Sequence, residues 1–287
     1  MKIGVIGATG MLGQPVAKAL ATSGFRTTAL VRSETMARKK LPPSIKLVVG
    51  DLKDLQALEK FIQDQDAVYL NLNLKQEEKP GEWHAEREGL QNILSIARKY
   101  PVKRIAMISS LVMFYQGMNN FEWWVFRVKK NAVEMVKESG MPFTIFYPST
   151  FMENFRHTYR QGNRILLAGE SKHKMWFIAA NDFAKQVVKS FEIFNDENRE
   201  YSIQGPEAFT AEEAATEYVS HYPYEKLSIS KAPLGLLKFL GKFSQKINYG
   251  YHIVNALNNY PEKFVSEKTW QELGKPATTL REFARQT

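Results

Sequence analysis

A glycine-rich turn close to the start of the chain constrains the fold more than any other feature. Residues 7–13 read GATGMLG; they follow an apolar segment at residues 3–6 and precede an amphipathic segment at residues 14–20. A strand, a glycine turn and a helix in this order form the first βαβ unit of a dinucleotide-binding fold. Three glycines alone also occur in other tight turns, but the flanking strand and helix favour the phosphate-binding interpretation.

Each glycine of this turn has a separate task in such a unit. Gly7 allows a sharp turn out of the strand, Gly10 lets backbone amides approach a pyrophosphate, and Gly13 lets the helix pack closely against the sheet. The positive end of the helix dipole then faces the anion. We therefore expect the phosphates of a dinucleotide at Gly7, Thr9, Gly10, Met11, Leu12 and Gly13.

The rest of the sequence extends this unit into an α/β fold. Helix patterns alternate with strand patterns, and the strand patterns lie at residues 2–6, 26–31, 45–49, 67–72, 104–108 and 142–147. This alternation predicts a Rossmann-like, doubly wound parallel sheet. After residue 148 the elements become shorter. We expect an NAD(P)-binding domain at residues 1–150 and a smaller C-terminal α/β region at residues 151–287 that covers the substrate and packs on the same body.

Composition excludes several classes of protein. Of the 287 residues 44% are hydrophobic and 24% are charged, which is ordinary for a globular protein. No apolar run approaches the ~18–20 residues that span a bilayer, so we expect no integral membrane segment. The absence of cysteine excludes disulfides and thiolate sites. Because the first strand begins at Lys2, we expect no signal peptide and a cytoplasmic location.

The net charge of +9 is spread unevenly along the chain. Basic and acidic residues are interleaved over most of the sequence, and no element resembles a groove reader, so we expect no nucleic-acid partner. Residues 226–261 differ, because they contain five lysines and no Asp or Glu. Lys238, Lys242 and Lys246 recur there at every fourth position among apolar residues, which predicts a basic amphipathic helix. This segment is either a solvent-facing lid or a surface for a protein partner or an anionic membrane.

The residue after the second strand predicts which dinucleotide binds. Many dinucleotide folds place an acidic residue there for the ribose 2′-hydroxyl, whereas this chain has Arg32. A cation suits a 2′-phosphate, so we expect NADP(H) rather than NAD(H). The basic residues 38–40 either add charge there or are solvated. We expect Asp51 and Leu52 beside the adenine, although Asp51 also suits an ordinary turn, and Asn71 at the cofactor.

Motifs along nearly the whole chain resemble one known family. The sequence is similar to the atypical short-chain dehydrogenases/reductases of the NmrA-like, NAD(P)H-binding group. The matching positions are 7–13, 31–32, 50–52, 89–92, 109–110, 130, 134, 139–140, 143–145, 148, 151–154, 182–184, 205–207 and 273–276. The resemblance implies an NAD(P)-binding oxidoreductase, with Lys130, Pro148 and Phe151 beside the cofactor.

The resemblance also reveals that a tyrosine is missing. Short-chain dehydrogenases usually carry Tyr and Lys four residues apart on one helix, where the ammonium binds the nicotinamide ribose and lowers the pKa of the phenol. Here Phe126 precedes Lys130, and Val125 precedes the neighbouring Lys129. Neither side chain can exchange a proton. The family register favours Lys130 as the ribose ligand, and Lys129 remains the alternative.

Two serines and an aromatic group complete the candidate site. Ser109 and Ser110 follow the fifth strand, where a hydroxyl either polarises a bound carbonyl or caps the next segment. Aromatic side chains suit a flat, hydrophobic substrate, although aromatic residues at helical spacing are also typical of a core. The residues that we expect in the substrate pocket are Phe114, Trp123, Phe126, Asn154 and Phe155.

Two functions of different classes follow from these features. The first is an NADPH-dependent reductase that transfers hydride to a small hydrophobic carbonyl, quinone or conjugated acceptor. The alternative is a non-catalytic NAD(P)(H)-binding redox sensor of the NmrA type, which the absence of the tyrosine favours. A sugar-nucleotide epimerase or dehydratase shares the fold, but it normally requires that tyrosine as a base.

Overall fold

The computed structural model describes residues 1–193 and 195–286, and it has the predicted α/β architecture. Its strands are β1 (Lys2–Ile6), β2 (Arg26–Val31), β3 (Lys46–Val49), β4 (Ala67–Leu70), β5 (Arg104–Ile108), β6 (Phe143–Pro148), β7 (Arg160–Gln161), β8 (Arg164–Ala168), β9 (Met175–Phe177), β10 (Arg199–Ile203), β11 (Glu207–Phe209) and β12 (Ser228–Ala232). Its α-helices are α1 (Gly13–Thr22), α2 (Glu34–Arg38), α3 (Leu55–Ile62), α4 (Leu90–Ala97), α5 (Trp124–Lys137), α6 (Ala180–Glu192), α7 (Ala211–His221), α8 (Leu234–Leu240), α9 (Gln245–Asn259), α10 (Glu267–Leu273) and α11 (Leu280–Arg285).

The central sheet has seven strands in the order β10-β6-β5-β4-β1-β2-β3, and every neighbouring pair is parallel. Starting from β1, the chain adds β2 and β3 on one side of the sheet and then adds β4 and the later strands on the other side, so the strand order reverses between β1 and β4. This reversal is the switch point at which doubly wound sheets bind ligands, outside the carboxyl ends of the strands. The predicted Rossmann-like sheet is confirmed.

Each strand divides its side chains between two cores. In β4, for example, Val68 and Leu70 join the core beneath α3, α4 and α5, while Ala67 and Tyr69 join the core beneath α1 and α6. The alternation follows from the two-residue period of a strand. Because both faces of the sheet are buried, the strands contain almost uninterrupted apolar residues.

Residues after position 150 contribute to the central sheet as well as to a separate layer. β10 pairs with β6 at the edge of the sheet, and α6 covers the same sheet face as α1. A third core around Phe155 and Tyr218 is enclosed by β8, β9, α7 and α11. The small sheets β12-β8-β7 and β11-β9 belong to this layer. The division at residue 150 remains a prediction, since β10 lies after this position in the sequence but belongs to the same central sheet as β1 to β6.

The predicted basic amphipathic helix is two helices. α8 ends at Leu240, before the C-cap residue Gly241, and α9 begins after Ser244, whose hydroxyl accepts a hydrogen bond from the Ile247 amide at 3.4 Å. A Cβ atom on Gly241 would lie 3.0 Å from the Cα atom of Asn248, so glycine permits the close hairpin between the helices. Over the described residues, no helix is both long and apolar enough to cross a bilayer.

Candidate functional site

A cleft of about 1060 Å³ lies along the carboxyl ends of β1, β2, β4 and β5. The glycine turn lines its middle, β2 and β3 lead to one end, and α5 reaches the other end. The predicted residues that line it are Gly7, Thr9, Gly10, Met11, Leu12, Arg32, Asp51, Leu52, Asn71 and Ser109. The cleft therefore brings together most of the residues that the sequence places at a dinucleotide.

The glycine turn is held by close backbone contacts. Gly7 has a φ of +82°, and its carbonyl accepts a hydrogen bond from the Gly10 amide at 3.1 Å. A side chain on Gly7 would collide with the Asn71 carbonyl, and one on Gly13 would collide with the Gly7 carbonyl. Gly13 therefore lies behind the turn and permits the approach of α1, as the motif predicts.

The N-terminus of α1 is open to an anion. Leu12 occupies the N-cap position and provides no capping hydrogen bond, and the first turn contains no acidic residue. The first amides of a helix otherwise need a side chain, water or ligand as a partner. An uncapped N-terminus at a glycine turn is the arrangement that binds pyrophosphate in dinucleotide folds, so these residues fit such a group.

Three cations line the end of the cleft near β2 and β3. Arg32, Lys40 and Lys53 lie there, and the ammonium of Lys40 donates to the Thr9 carbonyl at 3.0 Å. Arg38 serves the fold instead, because its guanidinium donates to the Ile45 carbonyl at 2.9 Å. The carboxylate of Asp51 accepts a hydrogen bond from the Lys53 amide at 3.1 Å. This contact lies within the turn that forms the wall of the cleft.

The lysine at the opposite end of the cleft is Lys129. Lys130 is the next residue on α5, but it does not line the cleft. The Lys129 ammonium lies 2.8 Å from the Glu86 carboxylate, and both side chains are buried, with exposures of 12% and 4%. Burial alone would lower the pKa of Lys129, but the charges of Glu86 and Tyr249 together with the hydrogen bond to Glu86 outweigh burial and raise it. Lys129 is therefore a protonated, oriented cation.

Three further residues surround this ion pair. Glu78 lines the cleft, and its carboxylate lies 2.9 Å from Nδ1 of the fully buried His84. The pKa of Tyr249 on α9 is raised, chiefly by burial, and it also responds to the charges of Lys129, Glu86 and Glu78. Sequence analysis missed Glu86, Glu78 and Tyr249, because contacts between residues far apart in sequence, such as Lys129 and Glu86 at 43 positions, leave no local pattern.

The two serines differ in position. Ser109 lines the cleft, and its hydroxyl lies 3.3 Å from the Met113 sulfur, a weak acceptor that leaves the hydroxyl free to turn toward a ligand. Ser110 occupies the N-cap position of the short helical turn at 111–115, and its side chain makes no capping hydrogen bond. Of the two, only Ser109 faces the cleft.

Most of the predicted substrate-pocket residues belong to the core. Trp123, Phe126 and Phe155 are 3%, 1% and 0% exposed, and they pack against other aromatic rings. Phe114 is exposed beside Tyr147, and Asn154 lies in a half-buried helical turn, but neither lines the cleft. The alternative interpretation of helical aromatic spacing, a hydrophobic core, describes the three buried rings.

Two predicted cofactor residues also lie outside the cleft lining. Phe151 is 6% exposed and packs edge to face against Phe183, with ring centroids 5.6 Å apart. Pro148 is the last residue of β6 and pairs with Ile203 of β10. Both residues lie where the chain passes from β6 into the C-terminal region, and they attach this segment to β10 and to α6.

Known proteins with similar sequences and folds include several reductases. A family model described as NAD(P)H-binding matches residues 7–193. The chain belongs to this NAD(P)H-binding family. It is 26% identical, over 98% of its length and 95% of the relative, to a (4-alkanoyl-5-oxo-2,5-dihydrofuran-3-yl)methyl phosphate reductase of Streptomyces griseus. The predicted membership of an NAD(P)H-binding family is thus confirmed.

Solved structures confirm the fold of this NAD(P)H-binding protein. An NADPH-dependent quinone oxidoreductase from Escherichia coli, solved with NADPH, aligns with a TM-score of 0.73 at 19% identity, covering 98% of each chain. A nucleoside-diphosphate-sugar epimerase from Staphylococcus aureus aligns with a TM-score of 0.75 at 16% identity, covering 100% of each. At such identities the likeness concerns the fold alone.

Proposed function

We propose that this protein is an NADPH-dependent reductase of a small hydrophobic carbonyl, quinone or conjugated acceptor. The observation that carries the proposal is the continuous cleft, which extends from the uncapped glycine turn to the buried Lys129. The glycine turn offers an anion site and Lys129 an oriented cation, the two features that hold a dinucleotide by its pyrophosphate and its second ribose.

Charge at the β2 end supports NADPH rather than NADH. Three cationic side chains line the cleft there, those of Arg32, Lys40 and Lys53. They outnumber the two carboxylates that also line it, those of Asp51 and Asp54. A guanidinium can form paired hydrogen bonds with a phosphate, whereas a ribose diol offers it no charge. The Lys40 ammonium is already held beside the glycine turn by the Thr9 carbonyl, so it adds to the positive potential without reorganisation.

The chain's own residues have distinct roles in this proposal. NADPH, when bound, supplies the hydride that reduces the acceptor. The Lys129 ammonium, fixed by Glu86, donates hydrogen bonds to the second ribose and orients that end of the cofactor. The Ser109 hydroxyl donates a hydrogen bond to the acceptor oxygen and stabilises the negative charge that develops there. Water then supplies the proton that completes the reduced product.

The acceptor class is supported by the walls of the cleft and by the relatives. Leu72, Ala85 and Ile108 give the part of the cleft toward Lys129 an apolar surface. Apolar walls with a few polar groups are typical of sites for small molecules. A lactone-containing phosphate is reduced by the Streptomyces relative, and a quinone by the Escherichia coli structural neighbour. An electron-poor, hydrophobic acceptor fits these observations.

NADPH oxidation provides the direct test. The protein is mixed with NADPH and a panel of quinones, enones and aldehydes, and the loss of cofactor absorbance is followed. We expect turnover with at least one acceptor, and a panel without turnover would contradict the proposal. Lys129→Met should lower kcat/KM by about 10- to 100-fold, the loss expected from one charge-assisted hydrogen bond. Lys130→Met, the matched control, should stay within about twofold if Lys129 acts alone.

The alternative function is a redox sensor that binds NADP(H) without turning over. The observation that favours it is the absence of a phenol four residues before either lysine, because Val125 and Phe126 are both buried apolar side chains. Affinity capture in the presence of NADP⁺ and of NADPH distinguishes this function. A sensor retains different partners in the two states, whereas identical partners together with acceptor-dependent turnover identify the reductase.

A further inference from the structure

α8 carries an apolar face that nothing in the described chain covers. Among the described residues, four of the fifteen exposed large apolar side chains lie within residues 236–243. Phe243 is 78% exposed and Phe239 is 56% exposed, and their rings lie edge to face with centroids 5.7 Å apart. Scattered single exposures need no explanation, but a continuous apolar surface of this kind marks an interaction site.

The exposed face is distinct from the one that attaches α8 to the protein. Leu234 and Leu237 are half-buried, and Leu234 lies against Gly169. Gly241 continues this inner row and approaches the backbone of Asn248 on α9. Within α8 the helical period places Leu234 and Leu237 on one side and residues 236, 239 and 240 on the opposite side. Phe243, in the turn after α8, lies edge to face against Phe239 and extends the outer face. α8 therefore contacts the protein through its inner face, while the side chains of its outer face are exposed.

Lysines border the outer face. Lys238 lies on α8, Lys242 lies in the turn that follows it, and Lys246 lies on the first turn of α9. All three are exposed, and within residues 1–193 and 195–286 none of them takes part in an ion pair. Since residues 226–261 contain no acidic residue, nothing in this segment neutralises their charge.

We propose that the α8–α9 hairpin docks on the surface of an anionic lipid bilayer. Phe239 and Phe243 would enter the boundary between headgroups and acyl chains, with Leu236 and Leu240 beside them. The lysines would lie at the level of the anionic headgroups, as in helices that rest in the plane of a membrane interface. This surface is separate from the nucleotide cleft, so the proposal stands independently of the reductase activity.

Charge argues against a second copy of the chain as the occupant. A twofold contact through this face would bring the lysine flanks of both copies together without any acidic residue to pair with them. Like charges at an interface oppose association. An anionic bilayer instead complements the apolar face and the lysines together.

Vesicle sedimentation tests the proposal with the full chain. Vesicles of phosphatidylcholine alone are compared with vesicles of phosphatidylcholine and phosphatidylglycerol. Three lysines near the surface should make binding to the anionic vesicles about 100-fold stronger, and added salt should weaken it. Replacing Lys238, Lys242 and Lys246 by Gln should remove most of this preference. Equal binding to both kinds of vesicle, or none to either, would overturn the proposal.

The apolar contribution is tested separately. The double substitution Phe239→Ser with Phe243→Ser should weaken binding to anionic vesicles at least about thirtyfold. The control is Met36→Ser with Val265→Ser, which removes two exposed apolar side chains elsewhere, 56% and 50% exposed, and should leave binding unchanged. Because all four side chains are exposed, Tm should be nearly the same in every variant. If the Phe variant binds as tightly as the wild type, or if the wild type self-associates through this face and ignores vesicles, the inference is wrong.

Discussion

The buried ion pair between Lys129 and Glu86 gives the sharpest test of the site. Replacement of Glu86 by Gln keeps the size of the side chain and removes its charge. Lys129 then remains in a site where its side chain is only 12% exposed, without the carboxylate that lies 2.8 Å away. Removal of one partner from a buried ion pair lowers the stability of the fold far more than replacement of both partners, because the remaining charge is left buried and uncompensated.

The expected loss of stability follows from the geometry. At 2.8 Å and an effective dielectric constant of about 20, the Coulomb energy of the pair is about 6 kcal/mol before relaxation. Relaxation and loss of the Lys129 proton reduce this value. We therefore expect the free energy of unfolding at neutral pH to fall by about 3–5 kcal/mol. Glu86→Gln with Lys129→Met should recover much of the loss, since no buried charge remains.

The effect depends on pH in a defined direction. In the wild type the folded pKa of Lys129 is raised, so the stability from the pair is present below the pKa of the unfolded lysine and is lost as pH rises through the folded pKa. In the Glu86→Gln variant burial dominates and depresses the folded pKa. The difference between wild type and variant should therefore shrink as pH approaches and passes about 10.4, the pKa of an unfolded lysine.

Urea unfolding from neutral pH to about pH 10 measures these free energies, and NADPH titration of each variant measures the effect on the cleft. The double-mutant cycle isolates the interaction between the two residues. The reasoning is refuted if Glu86→Gln unfolds with the wild-type free energy at neutral pH. It is also refuted if the difference between the two proteins does not change with pH.

Three further substitutions test other parts of the structure. Gly13→Ala places a Cβ atom against the Gly7 carbonyl and should lower both Tm and NADPH affinity; an unchanged Tm would mean that α1 can move away. Arg32→Ala should weaken NADPH binding about 10- to 100-fold and leave NADH binding unchanged, as measured by calorimetry; equal losses for both cofactors would contradict the 2′-phosphate assignment. Burial raises the pKa of Glu262 to about 7, so its ionisation removes stability as pH rises from about 4.5 to about 7. Glu262→Gln should therefore raise the free energy of unfolding at pH 8 by up to about 3 kcal/mol, seen as a higher Tm, and leave both unchanged near pH 4.

The local part of the fold was predictable because its determinants are local. The glycine turn, the alternating strands and the position of Arg32 follow from residues within a few positions of one another, and the sheet confirms their arrangement. The choice between Lys129 and Lys130 is different. The two residues differ by 100° around α5, and the side that faces the cleft depends on how that helix packs against distant elements.

The other end of the site could not be predicted for the same reason. Glu86 reaches Lys129 across 43 residues, and Gln245 joins α9 to the loop at Glu78 across 167 residues. The positions of the aromatic residues could not be predicted, because the same helical spacing occurs in the wall of a pocket and in a hydrophobic core. Trp123 and Phe126 face the core and pack against each other, and α9 places Tyr249 and His252 against Trp123.

The position of β10 has a consequence for synthesis on the ribosome. The sheet cannot close beside β6 until residues 199–203 have left the ribosome, about fifty residues after β6 itself. Until then β6 presents an unpaired backbone edge, and exposed edges of this kind favour aggregation. The nascent protein therefore passes through a vulnerable interval of several seconds at a synthesis rate of about 5–20 residues per second. A chaperone that shields strand edges should raise the yield of this protein more than one that acts on the completed chain.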